Sequence, residues 1–315
     1  MRQMRFHFGE RDRRGDGSLE AAVMDACARR GARAAALMRG VEGFGAKHRV
    51  RTDRLLSLSE DTPLLAVAVG DAEAVEGLVD EVRGMAGEGL IAVEDVDAPG
   101  GGGDGSELVK VTVWGPRTGP TSPHLGAVAA LRRHGAESAT VLLGVDGVLD
   151  GERRRARFIA GNRSVPALTV GVGRRAAVEA ALAEVDGTAP LVTVEAVAPN
   201  SRMERVWRHA DATRVTLVTS EVASRGAHPA YLELIHQLRR EGAAGATAQR
   251  GVWGYRGDEE PHGDRVLALR RDVPLVVEAV DAPARAARWL ELARELACDG
   301  DLVYVQGIPA AITLR

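Results

Sequence analysis

The sequence is short of the residues that mark several functional classes. Cysteine occurs twice in 315 residues, as Cys27 and Cys298. Two thiols make neither a disulfide framework nor a zinc ligand set, and the expected compartment is the reducing cytoplasm. Lysine also occurs only twice, as Lys47 and Lys110, while arginine is spread along the whole chain. That bias reads as genome composition rather than chemistry. The formal net charge is −3, so no basic domain advertises nucleic-acid binding. No stretch approaches the roughly 20 apolar residues of a membrane-spanning helix, so direct membrane insertion is not expected. The opening residues, Met1 to Glu10, lack the apolar centre of a secretion signal. No Gly-Lys-Ser/Thr phosphate loop is present. None of the eight histidines pairs with another, or with cysteine, at metal-ligand spacing. Neither a metal nor a cofactor is expected.

What the chain has is a repeat. With 45% hydrophobic and 27% charged residues it can build a packed core. The pattern Gly31-Ala32-x-x-Ala35-x-x-x-x-Gly40-Val41-x-Gly43 returns from Gly135 to Gly147 and again from Gly242 to Gly254, at spacings of 104 and 107 residues. A proline anchor follows each copy: Pro63 before Leu64 to Val69, Pro166 before Ala167 to Val170, Pro274 before Leu275 to Val277.

The elements between the anchors match as well. Each copy opens on a short strand, expected at Arg5 to Phe8, Lys110 to Trp114 and Arg214 to Thr219. A helix follows. Ser18 can cap the first, which repeats Leu19, Val23 and Cys27 on one face and makes Cys27 a core residue. Ser122-Pro123 gives a cap and a first-turn proline in the second. Pro229 starts the third, with Tyr231, Leu234, Ile235 and Leu238 as its stripe. All three should stop at Gly31, Gly135 and Gly242, where a left-handed residue is expected. A second strand runs into the Gly-Val-x-Gly turn, a polar arginine-bearing loop follows, and the third strand starts at the proline. Asp71 and Asp281 are the expected caps of the second helices in the first and third copies. The last strands fall at Leu90 to Val96, Leu191 to Val197 and Leu302 to Ile308. The order βαββαβ is the split ferredoxin-like unit.

The expected division is a first domain over residues 1–98, a glycine-rich linker over 99–109, a second domain over 110–198, a linker over 199–213 and a third domain over 214–315. Val206-Trp207 in the second linker could dock on a neighbour. Leu64 to Val69 is an unbroken apolar run, and Val141 to Leu143 and Leu275 to Val277 behave alike. A sheet with one face in water would alternate. The fold class expected is therefore α+β, three tandem ferredoxin-like (βαββαβ, α/β plait) domains packed against each other as an intramolecular pseudo-trimer. Three beads on a string would leave large apolar patches bare.

The first copy carries Gly9-Glu10-Arg11-Asp12, then Arg39-Gly40-Val41-Glu42-Gly43-Phe44-Gly45, Thr52, Leu56 to Asp61 and Pro63. Over residues 5–98 this resembles the bacterial PII-like signalling domains grouped with the nitrogen-regulatory PII fold. The third copy keeps Arg250-Gly251-Val252-Trp253-Gly254-Tyr255 and Asp272-Val273-Pro274; the second keeps only Gly144-Val145-Asp146-Gly147 and Val165-Pro166. The resemblance implies trimeric assembly, effectors such as adenine nucleotides held in clefts between units, and loops that read out the bound state to a partner protein.

The strongest site candidate is the glycine-framed loop of the first copy, with Gly40, Gly43, Phe44, Gly45, Lys47, His48, Arg49 and Arg51, flanked by Gly9, Glu10 and Arg39. Glycines let backbone N–H groups approach an anion, lysine and arginine neutralise it, and an aromatic ring can stack on a base. The structural alternative is a strand-end turn or bulge with a solvated charged face. Arg250, Gly251, Gly254, Arg256 and His262 would line a weaker site in the third copy, while Arg153 to Arg155 and Arg157 in the second read as a solvated face. His7 reads as structural. The function expected is non-enzymatic: a sensor that binds a small anionic metabolite or nucleotide and regulates a partner such as a membrane transporter or channel. A ligand-free scaffold is the alternative. An enzyme has less support, because Ser57, Ser59, Glu60 and Asp61 read better as the turn leading into a strand.

Overall fold

The computed structural model describes residues 1–15, 17–45, 50–52, 62–101, 107–118, 122–156, 162–185, 187–198, 210–263 and 272–314. Among them are six helices and antiparallel sheets of twelve and six strands, with a two-stranded hairpin beside them. The first third of the chain gives β1 (Arg2–Gly9), β2 (Arg13–Arg14), β3 (Gly17–Ser18), α1 (Leu19–Arg29), β4 (Ala34–Arg39), β5 (Glu42–Phe44), β6 (Val50–Thr52), β7 (Pro63–Gly70), α2 (Ala72–Met85) and β8 (Gly89–Asp95). The middle gives β9 (Leu108–Pro116), α3 (His124–Arg133), β10 (Ser138–Leu149), β11 (Glu152–Arg153), β12 (Pro166–Arg174), α4 (Arg175–Glu184) and β13 (Leu191–Val197). The last third gives β14 (Ala212–Ser220), α5 (Ala230–Arg240), β15 (Gly245–Arg250), β16 (Trp253–Arg256), β17 (His262–Gly263), β18 (Pro274–Asp281), α6 (Pro283–Leu296), β19 (Leu302–Ile308) and β20 (Ala310–Leu314).

Each third has the same strand order: β8-β1-β7-β4, β13-β9-β12-β10 and β19-β14-β18-β15. The register is also shared, since each proline anchor opposes the last residue of the first strand: Gly9 with Pro63, Pro116 with Pro166, Ser220 with Pro274. The glycines that end α1, α3 and α5 sit in the left-handed region, with φ of 72° at Gly31, 77° at Gly135 and 76° at Gly242. The carboxylates expected as caps act otherwise. Asp71 makes no capping bond. Asp281 lies one residue before the cap Ala282 and accepts from Ala244 N and Trp289 Nε1. In the middle third Pro123 occupies the cap position itself, without a capping side chain, and Ser122 Oγ donates to Arg117 O instead.

Strand exchange ties the thirds together. β5 leaves the first third and pairs with β15 of the last, Phe44 opposite Ala246. The second half of β10 leaves the middle third and pairs with β4 of the first, and β16 leaves the last and pairs with the first half of β10. A second set of pairings runs the other way. Asp97, just past β8, bridges Val194 of β13; Ala198, just past β13, bridges Val305 of β19; β20 pairs with β8 and sets Ala310 opposite Val93. Val93, Val194 and Val305 are equivalent positions, opposite Met4, Val111 and Val215 of the first strands. Both sets close a cycle, so each third is held to both others through backbone hydrogen bonds.

Burial follows from this closure. Leu64, Ala66 and Ala68 of β7 pack against α1 and α2, while Leu65, Val67 and Val69 point to a second cluster shared with Trp114, Leu142, Leu168 and Leu191 of the middle third. An apolar run without alternation is thus buried on both faces. The polar residues of the first strands are buried too. Gln3, Lys110 and Arg214 occupy one equivalent position, and Glu94, Glu195 and Gln306 lie opposite them. These six close a ring. Gln3 Nε2 donates to Glu94 Oε2 at 3.1 Å; Arg214 Nη2 reaches Glu94 Oε1 at 2.6 Å and its Nη1 reaches Gln306 Oε1 at 3.3 Å. Lys110 Nζ donates to Gln306 Oε1 at 3.3 Å and meets Glu195 Oε1 at 2.8 Å, and Gln3 Nε2 closes the circuit to Glu195 at 3.5 Å. One layer along, Arg5 pairs with Glu278. Burial alone would neutralise these groups. In Glu94 the opposing charges of Arg214, Lys110 and Arg5 overcome it and hold the carboxyl below its ordinary range.

Candidate functional site

The repeat places one ion pair twice. Glu10 follows β1 and Arg39 ends β4, and Arg39 Nη2 donates to Glu10 Oε1. Glu221 follows β14 and Arg250 ends β15, and Arg250 grips Glu221 with two bonds of 2.9 and 2.6 Å. The backbone donates equivalently in both, Glu10 N to Thr62 O and Glu221 N to Val273 O. Gly9 N donates to Asp12 Oδ2 at 2.8 Å, which fixes the turn after β1. Of the residues expected to meet a ligand, Gly9, Glu10 and Arg39 are brought together, but Arg39 and Arg250 already hold carboxylates.

The glycines are explained by strand crossing. A Cβ on Gly43 would lie 2.8 Å from Ala246 O, and one on Gly40 would lie 2.9 Å from Ala248 O. Gly251 and Gly254 sit where β16 leaves its own third for β10, and a Cβ on either would strike β10. These four glycines admit a neighbouring strand rather than an anion; Gly45 stands in open space. Phe44 corrects the expectation most sharply. It is buried within the core of the last third beside Ala246 and Ile235, so its ring has no free face for a base. Phe44→Leu should cost about 1 kcal/mol in urea unfolding and leave any nucleotide response unchanged.

The arginines of two loops are likewise neutralised. Arg153, expected on a solvated face, is mostly buried and reaches across to α1: it binds Asp146 Oδ2 at 2.5 Å, pairs with Asp25 and donates to Ala21 O. Arg155 meets Glu20 at 2.9 Å, and Arg154 meets Glu152 at 2.6 Å. In the last third Arg256 is buried against Asp301 at 2.6 Å and Glu259 at 2.8 Å. Arg132 of α3 covers the Tyr255 ring at 5.5 Å and donates to Asp258 O. His262 holds the Glu260 carbonyl. The sequence shows the cations but not their partners, which come from distant positions; only Glu10 and Glu221, aligned by the repeat, could have been found beforehand. Lys47, His48, Arg49, Arg157, Val206 and Trp207 lie outside the described residues, and of Arg51 only the backbone in β6 is described. His7 Nδ1 lies 3.3 Å from Thr247 Oγ1 between the first and last thirds, a structural placement. Among the described residues no group of three His, Cys, Asp or Glu could hold a metal ion, and no helix is long and apolar enough to cross a membrane.

The model of the DUF190 family, described as "Uncharacterized ACR, COG1993", matches residues 1–98 and 212–309. The chain belongs to the DUF190 family. A curated relative, the UPF0166 protein of Aquifex aeolicus (strain VF5), is 33% identical over 75 residues, which are 24% of this chain and 71% of the relative. Among solved structures, aspartate kinase from Synechocystis aligns with 98% of this chain and 44% of its own length, at 11% identity and a TM-score of 0.29. A likeness that loose carries no argument, and the chain spans less than half of that kinase. The two DUF190 matches cover the thirds that keep the Glu–Arg pair at the strand ends; the third between them has lost it.

Proposed function

We propose that this DUF190 chain is a non-enzymatic PII-like sensor in the cytoplasm, built as three ferredoxin-like units closed into an intramolecular pseudo-trimer. It binds a small anion, an adenine nucleotide being the leading class, beside the loop of the first unit, and it regulates a partner protein. The observation that carries this reading is the cyclic closure: β5, the second half of β10 and β16, which lead into the three loops, each pair with a strand of a neighbouring unit, the arrangement that a sensor with sites between units needs. The seams are unequal. Arg153, Arg155 and Arg256 are committed to acids of the protein itself, whereas the first loop carries Lys47, His48, Arg49 and Arg51 on a glycine frame. An ordered loop would be the switch read by the partner.

Calorimetry and thermal shift against adenosine mono-, di- and triphosphate and cyclic nucleotides test it. Binding should raise the melting temperature, and Arg49→Ala should weaken affinity about tenfold or more. Silence across the panel removes the nucleotide. A ligand-free scaffold is the second reading, favoured by the acids of the chain that already occupy the arginines of the second and third loops; it gains if no anion shifts the melting curve.

A further inference from the structure

The middle third departs from the other two at one place in a way that simple decay does not explain. Where Glu10 and Glu221 follow the first strand, the middle third has Arg117; its backbone N donates to Val165 O at 2.8 Å, as Glu10 N does to Thr62 O and Glu221 N to Val273 O. Where Arg39 and Arg250 precede the Gly-Val-x-Gly turn, the middle third has Leu143. Loss of the pair alone would leave neutral residues. Here the acid has become a base, and the arginine that would have repelled it has become apolar. A second cation joins it. Thr118 N donates to Arg163 O at 3.1 Å, so Arg163 lies on the chain segment directly beside Arg117. Arg163 is exposed and Arg117 half-buried. Among the described residues neither has an acidic partner, in contrast to Arg39, Arg153, Arg155, Arg250 and Arg256. The Thr118 side chain, exposed beside them, adds a hydroxyl.

We propose that Arg117 and Arg163 form an anion site at the strand ends of the middle third, specific for a phosphoryl group. Guanidinium groups donate in a planar fork that matches phosphate oxygens, and a site whose protein counter-ion has been replaced by a like-signed residue leaves that fork open to an anion from solution. The site is distinct from the first loop, and the two can be separated by experiment.

The probes are inorganic diphosphate, adenosine diphosphate and adenosine, titrated into the full chain by calorimetry at low salt. Diphosphate and adenosine diphosphate should bind and adenosine should not; equal affinity of the first two assigns recognition to the phosphoryl groups alone. Arg163→Ala, at an exposed position that leaves the fold intact, should weaken diphosphate at least tenfold, as should Arg117→Ala. The double variant Arg117→Glu/Leu143→Arg rebuilds the ion pair of the other thirds; it should fold with an unchanged or raised melting temperature and lose diphosphate binding. In an Arg49→Ala background, which silences the first loop, Arg117 and Arg163 should still give diphosphate heat, and Arg163→Ala added to that background should remove it. The proposal is overturned if the wild-type chain gives no heat with diphosphate, if Arg163→Ala and the rebuilt variant bind as wild type does, or if only Arg49→Ala abolishes binding. That last outcome would place the anion at the first loop and leave the sensor reading standing.

Discussion

Arg214→Met should lower the unfolding free energy by about 3–5 kcal/mol, the cost of leaving buried charge without its partner. Arg214 has no exposed surface and faces two carboxylates, Glu94 at 2.6 Å and Glu278 at 3.8 Å. Methionine fills most of the volume, so packing is a small part of the effect. What remains is Glu94 and Glu278, buried and deprived of a cation they share. Removing a whole pair acts differently. Arg5→Met with Glu278→Leu deletes two opposite charges that meet each other, and apolar replacement of a buried pair is often neutral or stabilising. The double variant should therefore lose less than either of its single members. Urea unfolding followed by circular dichroism reads all of these. A loss below about 1 kcal/mol for Arg214→Met would show that water or rearranged side chains already compensate the network.

The same network explains where the sequence misleads. Strand order and helix order are legible because Gly-Val-x-Gly and the proline anchors recur, and the last strands fall at Leu191–Val197 and Leu302–Ile308 as expected. The first strands begin earlier than expected, at Arg2, Leu108 and Ala212. Gln3, Lys110 and Arg214 stand at or near those starts and read as polar strand ends, because a lone chain gives no sign that two other strands will bring them Glu94, Glu195 and Gln306. The candidate site fails in the same way. Arg153 and Arg256 look like free cations, yet Asp25 and Asp301 lie 128 and 45 residues away in sequence. Phe44 looks like a stacking ring beside glycines; its neighbours belong to another third of the chain. Local pattern reveals local structure, and the strand exchange that decides these side chains is not local.

Acid should destabilise the fold in two separable steps. An ordinary imidazole titrates at 6.5, but burial pushes His124 down to about 4, against the opposing pull of the Gly115 and Pro116 backbone. Its ring is enclosed at the start of α3 with Nδ1 2.9 Å from Thr169 Oγ1. Between those two values the unfolded chain takes up a proton that the folded chain refuses. The His124 contribution is thus whole above pH about 6.5 and is lost as pH drops toward 4, by about 3 kcal/mol at one pKa unit per 1.36 kcal/mol. The second step belongs to the buried network. Burial raises the Glu278 pKa, but Arg5 and Arg214 outweigh it and bring the carboxyl from 4.5 to about 2. Its contribution is present above pH about 4.5 and is lost as pH falls through 2, again by about 3 kcal/mol. His124→Leu removes the His124 share of the first step, since Leu19 fills the equivalent first position of α1 and is fully buried there. His7 is also buried, and desolvation pushes its imidazole down to about 3, so this variant should keep a shallower decline below pH about 6.5 than the wild type, with the His124 share gone, and should retain the lower step. Urea unfolding from pH 8 to about 2 measures both. A wild-type curve without slope between pH 6.5 and 5, or a His124→Leu curve with the same slope as wild type, would mean that the buried ring accepts its proton without cost.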